Sequence, residues 1–184
     1  MHLSSLIENY SINSGNIVNV TEFDSPVGKV IAAGDAEFIY FVCFEDSKNL
    51  DKIFKTVSEE LSCTFKEGKN KLLEIVENEL RQYFAGELKK FTVPIKTFGS
   101  DFQKEVWNKL SDVPYGSTQT YGDIAESLGR SGGHARAIGA ACGANSHFII
   151  IPCHRIVASD SKGGFSGGLD RKEWLLEHEK LFTE

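Results

Sequence analysis

Thr120-Tyr121-Gly122-Asp123-Ile124-Ala125-Glu126-Ser127-Leu128-Gly129, then Ser131-Gly132-Gly133, then His134-Ala135-Arg136-Ala137-Ile138-Gly139-Ala140-Ala141-Cys142, reads as two short helices joined by a glycine turn. Thr120 is placed to cap the first helix, which runs from Tyr121 to Leu128 and stops at Gly129. The second runs from His134 to Cys142 and carries small residues at Ala135, Ala137, Gly139, Ala140 and Ala141. The pair is a helix-turn-helix candidate. Small residues suit close packing against a neighbour as well as approach to a nucleic-acid groove, and the segment alone leaves both readings open.

Upstream, Ser100-Asp101-Phe102-Gln103 has the form of a capping box and predicts a helix from about Asp101 to Leu110, with Phe102, Val106 and Leu110 on one face. Pro114-Tyr115-Gly116 reads as a turn. Downstream, Ile149-Ile150-Ile151-Pro152-Cys153-His154-Arg155-Ile156-Val157 sets two β-branched runs around four residues of different chemistry. This pattern predicts a buried strand that Pro152 ends or bulges, because proline cannot donate to a ladder. Cys153 is then the natural nucleophile. A thiol attacks as the thiolate, which an adjacent imidazole such as His154 helps to form. A cysteine in an apolar strand is as a rule inert, so the tetrapeptide by itself decides nothing.

The first half reads as scaffold. Three β-rich runs near residues 17–23, 27–33 and 38–44, separated by Ser25-Pro26 and Gly34-Asp35, predict an antiparallel meander. Leu50, Ile53, Phe54, Val57 and Leu61 recur at helical spacing, as do Leu72, Leu73, Ile75, Val76, Leu80 and Phe84, and Gly86 reads as a stop. Residues 1–16 read as a weakly specified lead-in, and residues 91–95 as an extended crossing segment. The aromatic residues Phe38, Tyr40, Phe41 and Phe44 read as core.

With 184 residues and 41% hydrophobic content, the chain suffices for one large or two small packed domains. No apolar run reaches the roughly 18 residues that span a bilayer, and the N-terminus lacks a signal-peptide pattern, which predicts an intracellular protein. Cys43, Cys63, Cys142 and Cys153 form no Cys-X-X-Cys pair, as suits a reducing compartment. The net charge of −6 lies mainly in the first half, where residues 1–95 hold 10 Lys and Arg against 15 Asp and Glu. From Ser127 to Ser159 there is no Asp or Glu, while Arg130, Arg136, Arg155, His134, His147 and His154 occur. Such a stretch faces phosphates without self-repulsion.

Pro152-Cys153-His154-Arg155, with Asn145 upstream and Ser166-Gly167-Gly168-Leu169 and Lys172-Glu173-Trp174-Leu175-Leu176-Glu177-His178-Glu179 downstream, resembles the O6-alkylguanine-DNA alkyltransferases. The match runs in order over most of residues 98 to 180. It implies an α/β N-terminal domain over residues 1–92, a small antiparallel sheet with helices, and a mostly α C-terminal winged helix-turn-helix domain over residues 93–184. It further implies irreversible, one-turnover transfer of an alkyl group from O6-alkylguanine in duplex DNA to Cys153 after the damaged nucleotide is flipped out, with O4-alkylthymine a second candidate substrate. His154 would deprotonate Cys153 through a water, and Glu179 would orient His154. Asn145 would bridge the helix-turn-helix and the active-site turn, or cap a helix. Pro152, Arg155, Ile156, Phe165 and Ser166 would complete the site, with Arg155 bracing the domains and the Ser166 N–H facing guanine O6. Lys172 and Trp174 would serve the packing of the final helix.

Tyr121, Ala135, Arg136 and Gly139 would face DNA, with Tyr121 crowding the target phosphate and Arg136 filling the vacated base position. The resemblance implies double-stranded DNA as the partner, and one protein per lesion needs no dimer, so a cytoplasmic monomer is expected, with no membrane, no cofactor and no metal. Some relatives hold zinc in the first domain, whereas Cys43, Cys63 and His2 are too few for a tetrahedral site. One departure stands out: many relatives have tyrosine where this chain has Phe165, which walls a base but donates no hydrogen bond.

Overall fold

The computed structural model describes residues 3–183, so His2 lies outside the described residues. Two compact units divide the chain, Met1–Phe98 and Gly99–Glu184.

In the first unit, β1 (Ile17–Ser25), β2 (Gly28–Gly34) and β3 (Ile39–Phe44) form the expected antiparallel meander. A fourth strand, β4 (Thr64–Glu67), pairs parallel to β1, so the sheet is mixed, in the order β3-β2-β1-β4. Every residue of β3 is buried, which explains why this stretch reads as a continuous apolar run. The lead-in is in fact a helix, α1 (Leu3–Tyr10), which buries Leu3 and Leu6. The helices α2 (Leu50–Leu61) and α3 (Lys71–Phe84) fall where the spacing predicts, and Gly86 follows α3 at φ 78°.

The boundary falls at Phe98, six residues beyond the expected 92, and the buried Glu79 gives the reason. Its carboxylate accepts the backbone N–H groups of Thr92 and Val93 at 3.1 and 3.0 Å, tying the crossing segment to α3. Ile39 and the segment then exchange backbone bonds, Ile39 donating to the Pro94 carbonyl and accepting from Lys96. Residues 93–98 therefore belong to the first unit.

The second unit is mostly helical. Its helices are α4 (Asp101–Leu110), α5 (Tyr121–Ser127), α6 (Ala135–Gly143) and α7 (Leu169–Leu181). Complete capping boxes start α4, through Ser100 and Gln103, and α5, through Thr120 and Asp123. Each cap satisfies backbone donors that would otherwise be orphaned, an effect of about 1 kcal/mol. After Gly129, a 3-10 turn at Gly132–His134 leads into α6. The buried Trp107 of α4 donates from Nε1 to the Ala141 carbonyl at 2.9 Å, which fixes α6 against α4. The β structure of this unit is slight: β5 (Gln119–Thr120) pairs parallel with β6 (Ile156–Val157), and one antiparallel bridge joins Ala158 to Ser161. Among the described residues, no helix is long and apolar enough to cross a membrane.

Candidate active site

Residues 149–151, expected as a strand, form a chain reversal instead. Ile150 N–H donates to the Phe148 carbonyl at 2.8 Å across Ile149, whose φ is 72°. Cys153 N–H donates to the Ile151 carbonyl at 2.8 Å across Pro152, at φ −81° and ψ 62°. The second is an inverse γ-turn. The first is the rare positive-φ kind, strained for a β-branched residue by about 1–3 kcal/mol.

Asn145, fully buried just past the end of α6, holds this reversal together. Its Oδ1 accepts the His147 N–H at 2.8 Å, and its Nδ2 donates to the Ile151 carbonyl at 3.0 Å and to Cys153 Sγ at 3.2 Å. It thereby links the segment that follows α6 to the thiol. Pro152 precedes a 3-10 turn, Cys153–Arg155, rather than ending a strand.

Cys153 faces a cavity of about 320 Å³. One wall comes from α5 and α6, with Tyr121, Gly139, Cys142 and Gly143, and the other from the loop Gly164, Phe165 and Ser166. Ser166 Oγ donates to the Gly143 carbonyl at 3.0 Å and closes one side. Gly163 has a φ of 74°, and a Cβ there would lie 2.8 Å from the Tyr121 hydroxyl, so only glycine lets the loop pass. Gly139, expected to face DNA, lines the cavity, whereas Arg136 is exposed and Ala135 half-buried. Cys142 lines it too, a position the sequence did not single out.

Behind the thiol lies a buried charged cluster. His154 Nε2 is 2.6 Å from Glu179 Oε2, with both side chains essentially without solvent exposure. Arg155 grips the same carboxylate, from Nε to Oε1 at 2.8 Å and from Nη2 to Oε2 at 3.1 Å. Its Nη1 donates to the Val113 carbonyl at 2.8 Å, so these bonds stay within the second unit, where bracing between domains was expected. Gly116 N–H adds a fourth donor to Glu179 at 3.1 Å. Burial acts to raise the Glu179 pKa, but the His154 and Arg155 donors overcome it and hold the carboxyl well below the usual carboxylate range. The carboxylate only accepts, so His154 Nε2 carries the proton. His154 Nδ1 is buried without a hydrogen-bond partner.

Burial pushes the Cys153 thiol up to about 11, opposed by the Asn145 bond and the Lys172 charge. The resting group is a thiol. Burial likewise lowers the His154 pKa, against the pull of Glu179. Lys172, expected only to pack α7, is fully buried and donates from Nζ to the Ile156 carbonyl at 2.5 Å and to the Gly164 carbonyl at 2.9 Å. It thus joins the backbone of β6 to the cavity loop. Ile156 is buried behind the site and does not line the cavity. Trp174 is 37% exposed and stacks on His178. Of the basic residues in the acid-free stretch, Arg130, His134 and Arg136 are exposed, and His147, His154 and Arg155 are buried.

Residues 19–97 match the ribonuclease-like domain of 6-O-methylguanine DNA methyltransferase, and residues 101–181 match its DNA binding domain. The methylated-DNA–protein-cysteine methyltransferase of Methanosarcina acetivorans is 41% identical over 158 residues, 85% of this chain and 95% of that protein. The crystal structure of Mycobacterium tuberculosis O6-methylguanine methyltransferase is 36% identical, with a TM-score of 0.75 over 89% of this chain and 93% of that one. That of Mycobacterium tuberculosis OGT in complex with DNA is 34% identical, with a TM-score of 0.76 over 89% and 94%. With both halves matched in order and a relative of this identity matched over nearly its whole length, the chain belongs to the 6-O-methylguanine DNA methyltransferase family.

Proposed function

We propose that this chain repairs DNA by moving the alkyl group of O6-alkylguanine onto Cys153, once per molecule. The observation that carries the reading is a thiol at a cavity of about 320 Å³ with a buried His154–Glu179 pair behind it. The Cys153 sulfur attacks the alkyl carbon, the S–C bond forms as the C–O6 bond breaks, and guanine leaves. The thiol proton passes through a water to His154 Nδ1, which is open because Nε2 is engaged by Glu179. Guanine takes up a proton at N1, and His154 returns its own to solvent. A thioether has no easy route back to thiol, so one transfer ends the cycle.

A paired base cannot reach a buried thiol, so the nucleotide must leave the stack. Arg136 is exposed in the first turn of α6 and would fill the gap in the duplex, while Tyr121, at the cavity wall, would press on the target phosphate. Ser166 and Phe165 line the cavity, where the Ser166 N–H would meet O6 as charge develops on it and Phe165 would wall the base. The relative crystallised with DNA supports DNA as the partner. One protein per lesion needs no dimer, and we assign the chain as a cytoplasmic, DNA-associated monomer; O4-alkylthymine is the second substrate to test.

The test is nucleoside analysis of a short duplex carrying one O6-methylguanine after incubation with the protein. The lesion should disappear in proportion to protein, one for one, and persist with Cys153→Ala. Loss that continues beyond one equivalent, or none at all, would exclude stoichiometric transfer.

A further inference from the structure

The site described so far leaves one question of charge. A carboxylate 2.6 Å from an imidazole in a buried cluster ordinarily holds the ring as imidazolium, and an imidazolium is no base. His154 Nδ1 would then carry a proton that no acceptor among the described residues receives. The cluster contains a third member that changes this balance.

We propose that Arg155 keeps His154 neutral by compensating the charge of Glu179, so that the ring can take the Cys153 proton. The inference rests on the alkyl-transfer reading for its consequence, though not for its geometry. Arg155 bonds to both oxygens of the carboxylate that His154 shares, and is itself held by the Val113 carbonyl and by the Tyr115 ring, 5.5 Å from its guanidinium carbon. With a neutral ring, the Arg155–Glu179–His154 group has no net charge. With an imidazolium it would carry one uncompensated positive charge in a buried place, which is strongly unfavourable.

Among the described residues, the charged groups that act on His154 are Glu179 and Lys172 from α7 and Arg155 from its own turn; the titratable Cys153 precedes it in sequence, and Phe165 meets the ring edge-on at 6.5 Å. Of these only Glu179 favours the imidazolium. Burial of the ring opposes it first, and Arg155 and Lys172 add to that opposition; Lys172 is engaged with two backbone carbonyls, Arg155 with the carboxylate itself. Arg155 is therefore a positioning residue, acting on the base through Glu179.

Two measurements test this. The first is the 15N spectrum of the His154 ring against pH in the protein without DNA. The native ring should be neutral at pH 7 with its proton on Nε2, and should become an imidazolium in Arg155→Met. An imidazolium in the native protein at pH 7 overturns the proposal, whether or not any variant folds. The second is the pH profile of single-turnover transfer. In Arg155→Met the acid limb should move up by at least about one pH unit, a loss of roughly tenfold per unit at pH values below the limb, with recovery at higher pH. Arg155→Lys, which keeps the charge, should leave the limb near its native position. A rate that falls equally at all pH values, with an unmoved limb and a neutral ring, would mean that Arg155 only holds the structure together. If the ring behaves as predicted while the native protein transfers nothing, the alkyl-transfer reading fails and the assignment of Arg155 stands.

Discussion

Cys43 and Cys153 are both buried thiols, 1% and 4% exposed, and they sit in opposite chemical settings. Cys43 lies within β3, where all six residues are buried, and burial alone pushes its thiol up. Cys153 suffers the same desolvation, yet a hydrogen bond from Asn145 and the charge of Lys172 work against it, and a histidine hydrogen-bonded to Glu179 follows it in sequence. Burial therefore does not separate an inert cysteine from a reactive one. What separates them is whether the surrounding groups offer the thiolate donors and charge, and offer its proton a destination.

The sharpest way to break this contrast is to remove that destination. His154→Ala should slow single-turnover transfer by about 100- to 10,000-fold, the usual worth of a positioned general base, while Cys43→Ala leaves the rate unchanged. A transfer rate that survives loss of His154 would mean that the thiol needs no base.

Next in size is the scaffold under each thiol. Asn145→Ala strands the Ile151 carbonyl and the His147 N–H and frees the strained Ile149 turn, and should destabilise the second unit by about 2 to 4 kcal/mol in urea unfolding. Cys43→Ala removes only apolar contact and should cost about 1 kcal/mol. Equal effects would show that the Asn145 bonds do not carry the turn.

Acid distinguishes the two regions further. His154 and Glu179 both have pKa values lowered by folding, from 6.5 and 4.5. Above pH 6.5 neither group binds protons differently in the folded and unfolded chain. As the pH falls below 6.5 the unfolded chain takes up a proton at His154 that the folded chain refuses, and below 4.5 Glu179 adds an effect of the same sign. Stability of the second unit should therefore fall with acid. Trp107 and Trp174, the two tryptophans of the chain, both lie in that unit, so the urea midpoint of their fluorescence reports it. A midpoint constant from pH 7 to pH 4.5 would contradict the lowered values.

The smallest expected effect concerns the cavity wall. Phe165, 5.7 Å from Phe148 and edge-on to His154, offers the base no hydrogen bond. Phe165→Tyr should raise the single-turnover rate, and an unchanged or slower rate would show that the phenyl ring already serves the purpose.

Where local chemistry specifies structure, the sequence was readable. Ser100 with Gln103 and Thr120 with Asp123 start helices through bonds that span three residues, and both helices lie where those residues predict. The active-site turn is different. Ile149-Ile150-Ile151 has strong strand propensity, and what overrides it is a side chain bonding six and eight residues along the chain, Asn145 to Ile151 and Cys153. No periodicity reveals such a device. Nor does α7 announce its inner face, because Lys172, Leu175, His178 and Glu179 are its buried residues and three of the four are ionisable. Strand β4 is short and has one buried residue, Phe65, too little to signal a strand. Helix α1 was legible after all, since Leu3, Leu6, Ile7 and Tyr10 recur at helical spacing, but it spans barely two turns.

The direct test of the difference between the thiols is intact-protein mass spectrometry with peptide mapping, after one equivalent of a duplex containing O6-methylguanine. The predicted result is a single added methyl group on Cys153, with Cys43, Cys63 and Cys142 unmodified. A methyl group on Cys142, or none on any cysteine while the lesion is still bound, would contradict the account.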